Sequence, residues 1–233
     1  MDSDTYTPTF YDTIREGCRT SAARVVPEVM RLMPWVERVI DVGCGEGWWA
    51  AEFANRGCAE VVGVDGAYVK GSPLLCDVEG PAPHTGGAAA FLARDLTEPF
   101  ALALGVRHRW DLAVSLEVAE HLPPDRAHSF VADLCWLAPT VLFSAAIPGQ
   151  GGAGHINEQW PGYWADMFAA NGYRVSGALR WTFWDDPLVE NWYAQNMLVA
   201  SREPDLLTAL FNGADSPPRP VVHPVLWDAR RPR

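Results

Sequence analysis

The sequence predicts an α/β fold in which a doubly wound, mostly parallel sheet of seven strands carries helices on both faces. Two observations lead to this prediction. Short apolar segments alternate along the 233-residue chain with longer segments in which apolar residues recur at helical spacing. Strands that alternate with helices are typical of parallel sheets. The hydrophobic share of 48% suffices for a large core, and the length suits one domain with appended segments.

The elements follow one another in a regular order. Residues 1–12 are expected to be irregular, and the helix after them runs from Glu16 to Met33, where Pro34 ends it. Strands are predicted over residues 36–42, 60–65, 90–93, 111–115, 140–145, 173–180 and 192–201. Further helices are predicted over residues 48–55, 126–136 and 160–171.

Three segments lack this pattern. Residues 66–90 are expected to form a surface loop with a short helix, and residues 149–154 a glycine-rich loop. The tail from Pro217 is rich in Pro and Arg, so we expect an extended or mobile arm. The chain is thus divided into an N-terminal helical cap or lid (1–34), a core (35–201) and a C-terminal extension with a Pro-rich arm (202–233).

Composition excludes several classes of function. The net charge of -11 opposes nucleic acid as a substrate, because a protein that binds phosphate backbones needs a positive surface. The five cysteines are scattered without a CxxC pair, which favours reduced thiols over a disulfide framework. The first residues lack the basic and apolar regions of a signal peptide, and no apolar run has the length of a membrane span. We therefore expect a cytoplasmic protein without membrane contact, whose oligomeric state stays open.

A glycine cluster follows the first predicted strand. The stretch 39–47 ends in Gly43-Cys44-Gly45-Glu46-Gly47, and an acidic residue, Asp41, precedes it. Glycines at such a turn let the backbone approach a ligand without Cβ collisions. Dinucleotide-binding proteins use a similar turn, but their third glycine is spaced as GxGxxG, whereas the spacing here is GxGxG.

Three further motifs follow in order. They are Val64-Asp65-Gly66 after the second strand, Arg94-Asp95-Leu96 after the third, and Ser115-Leu116-Glu117 after the fourth. Together with the glycine cluster, this series resembles the class I S-adenosylmethionine-dependent methyltransferases, in particular the bacterial small-molecule group, whose core is a Rossmann-like sheet.

The resemblance implies roles for these residues towards S-adenosylmethionine. The glycine cluster at residues 43–47, called the glycine loop below, passes the methionine part of the cofactor. The carboxylate of Asp65 accepts hydrogen bonds from the ribose hydroxyls. Asp95 and the backbone N–H of Leu96 face the adenine, and Glu117 lies on the methionine side. The cofactor residues implied in this way are Asp41, Gly43, Gly45, Gly47, Trp48, Asp65, Gly66, Asp95, Leu96 and Glu117. Trp48 either covers the cofactor or only seats the following helix.

An E-x-x-E-H pattern follows the fourth strand. Glu117, Glu120 and His121 have the spacing of one helical face. The pattern resembles ubiquinone-pathway O-methyltransferases and small-RNA 3′-end methyltransferases, in which this face binds a divalent metal together with a histidine after the fifth strand. His155 stands at the corresponding place, so Mg or Zn is a candidate second cofactor. A purely structural helix start, as in metal-free relatives, is the alternative.

Without a metal, His155 or His121 can act as general base, since histidine titrates near working pH. His155 is the preferred candidate because its glycine-rich loop follows the carboxyl end of a strand, where ligands of open α/β sheets bind. An ordinary loop histidine is the competing interpretation.

Aromatic side chains are expected to wall an acceptor pocket. Trp160, Tyr163 and Trp164 share one helical face, which is either pocket wall or core, and Trp160 and Tyr163 are assigned to the pocket. Tyr6 and Tyr11 are expected to close over the site from the N-terminal segment, by analogy with the family.

The function predicted from these residues is methyl transfer to an oxygen of a small molecule, a natural product of secondary metabolism or a sugar-like acceptor. A hydroxyl must lose its proton during transfer, so the histidines favour oxygen over nitrogen. N-methylation of a small amine is the close alternative. A non-catalytic subunit that only binds S-adenosylmethionine is the alternative from a different class.

Overall fold

The computed structural model describes residues 8–69, 72, 74–77, 89–105, 107–212 and 214–230. Its centre is an eight-stranded sheet with the order β3-β4-β2-β1-β5-β6-β8-β7. The strands are β1 (Arg38–Val42), β2 (Glu60–Asp65), β3 (Leu75–Asp77), β4 (Ala89–Ala93), β5 (Leu112–Leu116), β6 (Thr140–Ser144), β7 (Arg174–Ser176) and β8 (Leu198–Ser201).

The predicted fold class is confirmed, with one short strand more than expected. Strands β1 to β6 pair in parallel, and β8 is antiparallel to both β6 and β7. The additional strand, β3, lies at the edge of the sheet, pairs with β4, and falls in the segment for which a loop with a short helix was predicted. From β1 the chain continues to β2, β3 and β4 on one side of β1 in the sheet, and it then returns to form β5 on the other side of β1. In open α/β sheets, such a reversal of strand order creates the ligand-binding crevice at the carboxyl ends of the strands.

Eight α-helices flank the sheet within the described residues. They are α1 (Pro8–Leu32), α2 (Trp48–Asn55), α3 (Ala127–Leu137), α4 (Pro161–Ala170), α5 (Leu179–Phe183), α6 (Asn191–Asn196), α7 (Pro204–Phe211) and α8 (Pro224–Arg230). The predicted bounds of α2 and β2 are confirmed to the residue.

The core is split in two by the sheet. Along β1, Ile40 and Val42 pack with one apolar cluster, while Val39, which precedes them on the opposite face, packs with the other. This alternation is the period of two that a strand imposes on its side chains. The first cluster includes the apolar faces of α3 and α4, and the second includes those of α1, α2 and α6. Both faces are thus covered by helices, as a doubly wound sheet requires.

Three predictions of secondary structure are wrong in part. Helix α1 begins at Pro8, although residues 1–12 were expected to be irregular, and residues 1–7 lie outside the described part. The predicted strands 173–180 and 192–201 are too long, since α5 and α6 occupy parts of them. In α6 the reason is tertiary: Tyr193 is buried with its ring 5.0 Å from that of Trp49, while the amides of Gln195 and Asn196 are bonded inside the protein.

The C-terminal extension is helical in places and is anchored. The guanidinium of Arg180, which is fully buried, pairs with the carboxylate of Asp215. The backbone N–H of His223 donates to the side-chain oxygen of Gln195 at 2.7 Å. Instead of the predicted extended arm, residues 224–230 form α8, whose Leu226 and Arg230 reach the cavity described below. None of the helices in the described ranges combines the length and apolarity that a bilayer crossing demands.

Candidate active site

A cavity of about 490 Å³ opens at the carboxyl ends of β1 and β5, where the strand order reverses. This volume is in the range of small-molecule sites. The cavity is walled by the loop after β1, the loop after β5, the glycine-rich loop after β6, and helices α1, α6 and α8. Among its lining residues are Tyr11, Gly43, Gly45, Trp48, Asp65, Glu117, His121, Gln150, His155, Trp192 and Tyr193.

The loop after β1 depends on its glycines. Gly43 and Gly47 have φ angles of 82° and 90°, which residues with a side chain rarely adopt. A Cβ at Gly43 would lie 2.3 Å from Val118 Cγ2, and one at Gly47 would lie 2.5 Å from Leu75 Cδ2. The backbone N–H of Gly43 donates to the carbonyl of Val64 at 2.7 Å, which ties the loop to the end of β2. The loop is therefore closely packed on both sides.

Asp41 lies beneath this loop and, in the described structure, outside the cavity wall. Its side chain is buried and accepts a hydrogen bond from the backbone N–H of Ala50, whereas Oδ2 has no hydrogen-bond partner among the described residues. Burial, and then the charge of Asp65, raise the pKa of Asp41 to about 7. Asp41 was predicted to bind the cofactor, but the structure gives it a place under the loop.

Asp65, at the end of β2, already has three hydrogen-bond donors. Its Oδ2 accepts from the backbone N–H of Gly45 at 2.8 Å. Its Oδ1 accepts from the N–H of Gly66 at 2.6 Å and from the hydroxyl of Tyr68. Burial raises the pKa of Asp65, although these hydrogen bonds oppose the rise.

A second cavity of about 310 Å³ adjoins the first at Asp65 and Tyr68, which line both. Asp95 and the buried Leu96 stand in its wall. The carboxylate of Asp95 accepts hydrogen bonds from the backbone N–H and the hydroxyl of Thr97, at 2.9 and 2.7 Å, and these bonds lower its pKa. The motifs that contain Asp65, Asp95 and Glu117, after β2, β4 and β5, are thus brought to one edge of the sheet.

Glu117 stands at the end of β5 in a left-handed conformation with φ 56°. Its backbone N–H donates to the carbonyl and hydroxyl oxygens of Ser144 on β6, which holds this unfavourable conformation. Its carboxylate accepts hydrogen bonds from Gln150 Nε2 at 2.8 Å and from Asn196 Nδ2 at 3.0 Å. Burial raises the pKa of Glu117, while these donors oppose the rise.

Two residues of the E-x-x-E-H pattern and a histidine of the loop after β6 converge on the same side of the cavity. Ligand-type atoms of Glu120, His121 and His155 all lie within 4.8 Å of one another, and the imidazole rings of the two histidines are 4.7 Å apart. Glu120 is fully buried, and neither of its carboxylate oxygens has hydrogen-bond geometry with a described residue. Burial and the neighbouring Glu117 raise its pKa well above the usual value. Glu117, the fourth predicted ligand, is not a member of this group.

The two histidines differ in their surroundings. Burial, and then the neighbouring His155, lower the pKa of His121 to about 4, so this imidazole is neutral at physiological pH. His155 Nδ1 lies 2.9 Å from the carboxylate of Glu158. Glu158 also accepts the backbone N–H groups of Gly149 and Gly151, at 2.8 and 2.6 Å. One carboxylate therefore orders the glycine-rich loop and orients the histidine.

Helix α1 closes one side of the cavity. The ring of Tyr11 lies over the glycine loop, with its Cε1 3.2 Å from where a Cβ of Gly45 would be. Arg15 makes two hydrogen bonds to the carboxylate of Glu46, at 2.9 and 2.6 Å. Trp48, for which cofactor contact was one of two interpretations, lines the cavity and donates its indole N–H to Glu46 at 3.2 Å. The predicted lid is thus seated on the glycine loop, and Tyr6 lies outside the described residues.

Trp160 and Tyr163, which were predicted to wall the acceptor pocket, lie away from the described cavity. Trp160 is 41% exposed at the start of α4, and Tyr163 packs on the core with its ring 4.9 Å from that of Trp164. Neither lines the cavity in the described part of the chain. Helix α4 lies on the face of the sheet shared with α3, which turns its aromatic side away from the crevice.

Several lining residues were missed from the sequence. The aromatic wall comes from α6, and the amides that hold Glu117 come from the loop after β6 and from α6. Among the missed residues are Tyr68, Gln150, Tyr193, Leu226 and Arg230 in the cavity wall, and Asn196, which bonds to Glu117. The contact between His155 and Glu158, three residues apart in an irregular loop, has no periodic signal in the sequence.

Comparisons with known proteins agree with this geometry. The family model described as "Methyltransferase domain" matches residues 15–177. The structure is similar to magnesium protoporphyrin IX methyltransferase from Synechocystis PCC 6803 with bound SAH, with 20% identity and a TM-score of 0.60 over 84% of this chain and 88% of that one. A SAM-bound amino pentose methyltransferase from Micromonospora echinaspora has 18% identity and a TM-score of 0.58, covering 84% and 98%.

A SAM-dependent methyltransferase from Archaeoglobus fulgidus has 16% identity and a TM-score of 0.55, covering 82% of this chain and 99% of that one. At these identities the likeness concerns the fold. A search among curated proteins found no match to the chain.

Proposed function

Because the chain belongs to the methyltransferase domain family of class I S-adenosylmethionine-dependent enzymes, we propose that it transfers the methyl group to an oxygen atom of a small molecule bound beside His155. The observation that carries the proposal is the grouping of Glu120, His121 and His155 at the cavity that also contains the glycine loop.

The two adjoining cavities fit S-adenosylmethionine. The glycine loop offers a close-packed backbone for the methionine part, and a Cβ at Gly43 would collide there with Val118. Asp65, at the junction of the cavities, would hold the ribose, and Asp95 and Leu96 in the second cavity would hold the adenine. The bound cofactor supplies a methyl group on a positively charged sulfur, already activated for transfer.

The surroundings of His155 suit the removal of a proton from a hydroxyl. Donation of Nδ1–H to Glu158 assigns the tautomer in which Nε2 is the unprotonated atom. In this tautomer Nε2 can accept the acceptor's proton while Glu158 stabilises the resulting imidazolium. His121, which is neutral at physiological pH, adds no opposing charge. An unprotonated amine needs no such base, and this difference favours oxygen over nitrogen as the target.

A divalent metal is the second candidate for activating the hydroxyl. Glu120, His121 and His155 would hold it, and an Mg or Zn ion there would acidify a bound hydroxyl. The specific observation in its favour is the buried carboxylate of Glu120, since oxygen atoms without a hydrogen-bond partner are costly to bury. Glu158 would then act through His155 by fixing its orientation.

A small acceptor is supported by the size and charge of the site. The cavity of about 490 Å³ has acidic groups in its wall, and the net charge of -11 disfavours a nucleic-acid substrate. Two of the similar structures are named for small-molecule acceptors, a porphyrin and an amino pentose. We place the protein in the cytoplasm, in a pathway of secondary metabolism.

The experiment that tests this function is an acceptor screen read by the release of S-adenosylhomocysteine. Calorimetry with S-adenosylmethionine and S-adenosylhomocysteine precedes it and reports cofactor binding alone. Binding without turnover on any hydroxyl-bearing compound would contradict O-methylation and favour a non-catalytic subunit, and turnover on amines alone would favour N-methylation. Chelation then separates the two routes: base catalysis by His155 predicts unchanged turnover after EDTA, and a metal route predicts a loss that Mg or Zn restores.

Replacing Glu158 with glutamine is expected to lower turnover by about tenfold, because the neutral amide has one acceptor oxygen in place of two and no charge with which to hold the imidazole of His155. The Kd of S-adenosylmethionine should stay unchanged, since Glu158 contacts the loop after β6 and not the glycine loop. Steady-state kinetics and calorimetry check both parts. Unchanged turnover would show that Glu158 does not position the histidine.

A further inference from the structure

Tyr68 stands at the junction between the two cavities of the cofactor site. Its side chain lines both cavities, and its hydroxyl donates to Oδ1 of Asp65. Asp65 is the second residue that lines both cavities. A nucleoside that extends from the glycine loop in the first cavity to Asp95 in the second therefore has to pass between the cavities at Asp65 and Tyr68.

The carboxylate of Asp65 cannot serve a ribose diol as it stands. A carboxylate has about four acceptor positions, two on each oxygen. On Oδ1 both are taken, by Gly66 N–H and Tyr68 O–H, and on Oδ2 one is taken by Gly45 N–H. One position is left, whereas two ribose hydroxyls need two. One of the three present donors must therefore leave when the cofactor binds.

Of these three donors, the hydroxyl of Tyr68 is the one that can leave. The donors on Gly45 and Gly66 are backbone N–H groups, one fixed by the packed glycine loop and the other on the residue adjacent to Asp65. Tyr68 offers a side chain, which side-chain rotation can withdraw without a change in the backbone.

Gly66 gives independent support for this arrangement. Its φ lies outside the left-handed region, so its backbone conformation does not require glycine. A Cβ at Gly66 would instead lie 2.1 Å from Cε1 of Tyr68. The missing side chain at this position therefore creates the place in which the Tyr68 ring rests against the backbone.

We propose that Tyr68 is an affinity-determining residue that competes with the cofactor's ribose for Asp65. In the free protein its hydroxyl occupies the acceptor position that the second ribose hydroxyl needs, and cofactor binding exchanges one hydrogen bond for the other. The proposal rests on the placement of the ribose at Asp65 and is independent of the methyl acceptor.

The test compares Tyr68→Phe with the unchanged protein in calorimetric titrations with S-adenosylhomocysteine and its 2′-deoxy analogue. The variant keeps the ring and removes only the competing hydroxyl, so it should bind S-adenosylhomocysteine about 5–10-fold more tightly. The 2′-deoxy analogue has one hydroxyl fewer and fits the remaining acceptor position, so its Kd should be the same for both proteins. Unchanged or weaker binding of S-adenosylhomocysteine by the variant, or an equal gain for both ligands, would overturn the proposal.

Gly66→Ala provides a second variant, which removes the hydrogen bond between Tyr68 and Asp65 by displacing the Tyr68 ring. Its Cβ excludes the resting place of the Tyr68 ring, so it should also bind S-adenosylhomocysteine more tightly. Thermal unfolding of the free proteins verifies that each variant is folded, and if Tyr68→Phe does not fold, Gly66→Ala alone decides. A Kd equal to or higher than that of the unchanged protein would contradict the competition.

Discussion

Replacement of His155 with alanine is expected to lower kcat by about 10²–10⁴-fold, the usual contribution of a positioned general base. The proton of the acceptor hydroxyl then has no acceptor next to the transferred methyl group. The same loss follows on the metal route, because His155 belongs to the only group of potential metal ligands found among the described residues. The Kd of S-adenosylmethionine should change little, since the glycine loop and Asp65 lie on other elements.

The matched control is His128→Ala, the same substitution at an exposed histidine on the surface of α3. It should leave kcat and the cofactor Kd unchanged. A His155→Ala variant that retains turnover would remove His155 from the chemistry. A variant that instead loses cofactor binding in parallel with turnover would show that the loop after β6 belongs to the cofactor site.

The second large effect concerns Asp41, whose pKa is about 7 in the folded protein against a model-compound value of 3.8. A carboxyl whose pKa is raised by folding stabilises the folded state below its unfolded pKa, and this contribution is lost as the pH rises through the folded value. The unchanged protein should therefore lose stability from this group between about pH 4 and pH 7.

The variant Asp41→Asn cannot titrate at this position. The difference in free energy of unfolding, variant minus unchanged protein, should increase by about 2–3 kcal/mol between pH 5 and pH 8, as the shift in pKa requires. Urea unfolding of the ligand-free proteins at both pH values gives this difference. Asp125→Asn, at an exposed carboxylate, is the control, and its difference should be the same at both pH values. A difference for Asp41→Asn that stays constant or decreases would contradict the burial of an ionisable Asp41.

Local patterns were sufficient for the part of the site that follows β1 and β2. The bounds of α2 and β2 were predicted to the residue, because glycines mark the turn before α2 and an unbroken apolar run forms β2. The positions of Asp65 and Glu117 follow directly, since the carboxyl ends of parallel strands meet at one edge of the sheet. These residues could be grouped without any knowledge of distant contacts.

Elements fixed by distant contacts could not be predicted. The apolar and aromatic run 192–201 resembles a strand, yet its first half is helix α6, whose Asn196 bonds to Glu117 across 79 positions of the sequence. Strand β3 has three residues in a weakly patterned segment and is defined by its pairing with β4. Tyr163 does belong to a helix, and Trp160 directly precedes it, but the direction of the aromatic face depends on how α4 packs against α3.

It could not be predicted either that the carboxylate of Asp65 already accepts hydrogen bonds from groups of the protein. The sequence identifies Asp65 as an acceptor for ribose hydroxyls, but the hydroxyl of Tyr68 three residues later carries no recognisable signal. The same holds for the burial of the Glu120 side chain, which depends on the loop after β6: among the described residues, the backbone N–H groups of Ile156 and Asn157 in this loop bond to the carbonyl oxygen of Glu120 and not to its carboxylate. Site residues of this kind become visible when hydrogen-bond donors and acceptors are counted in three dimensions.

The most direct test of the central claim follows a labelled methyl group. Incubation of the protein with methyl-labelled S-adenosylmethionine and a fractionated small-molecule extract, followed by mass spectrometry and NMR, locates the label. We expect one labelled small molecule that carries the methyl group on oxygen, formed in equal amount with S-adenosylhomocysteine and absent with His155→Ala. A label on nitrogen, or an undiminished yield from His155→Ala, would contradict the account.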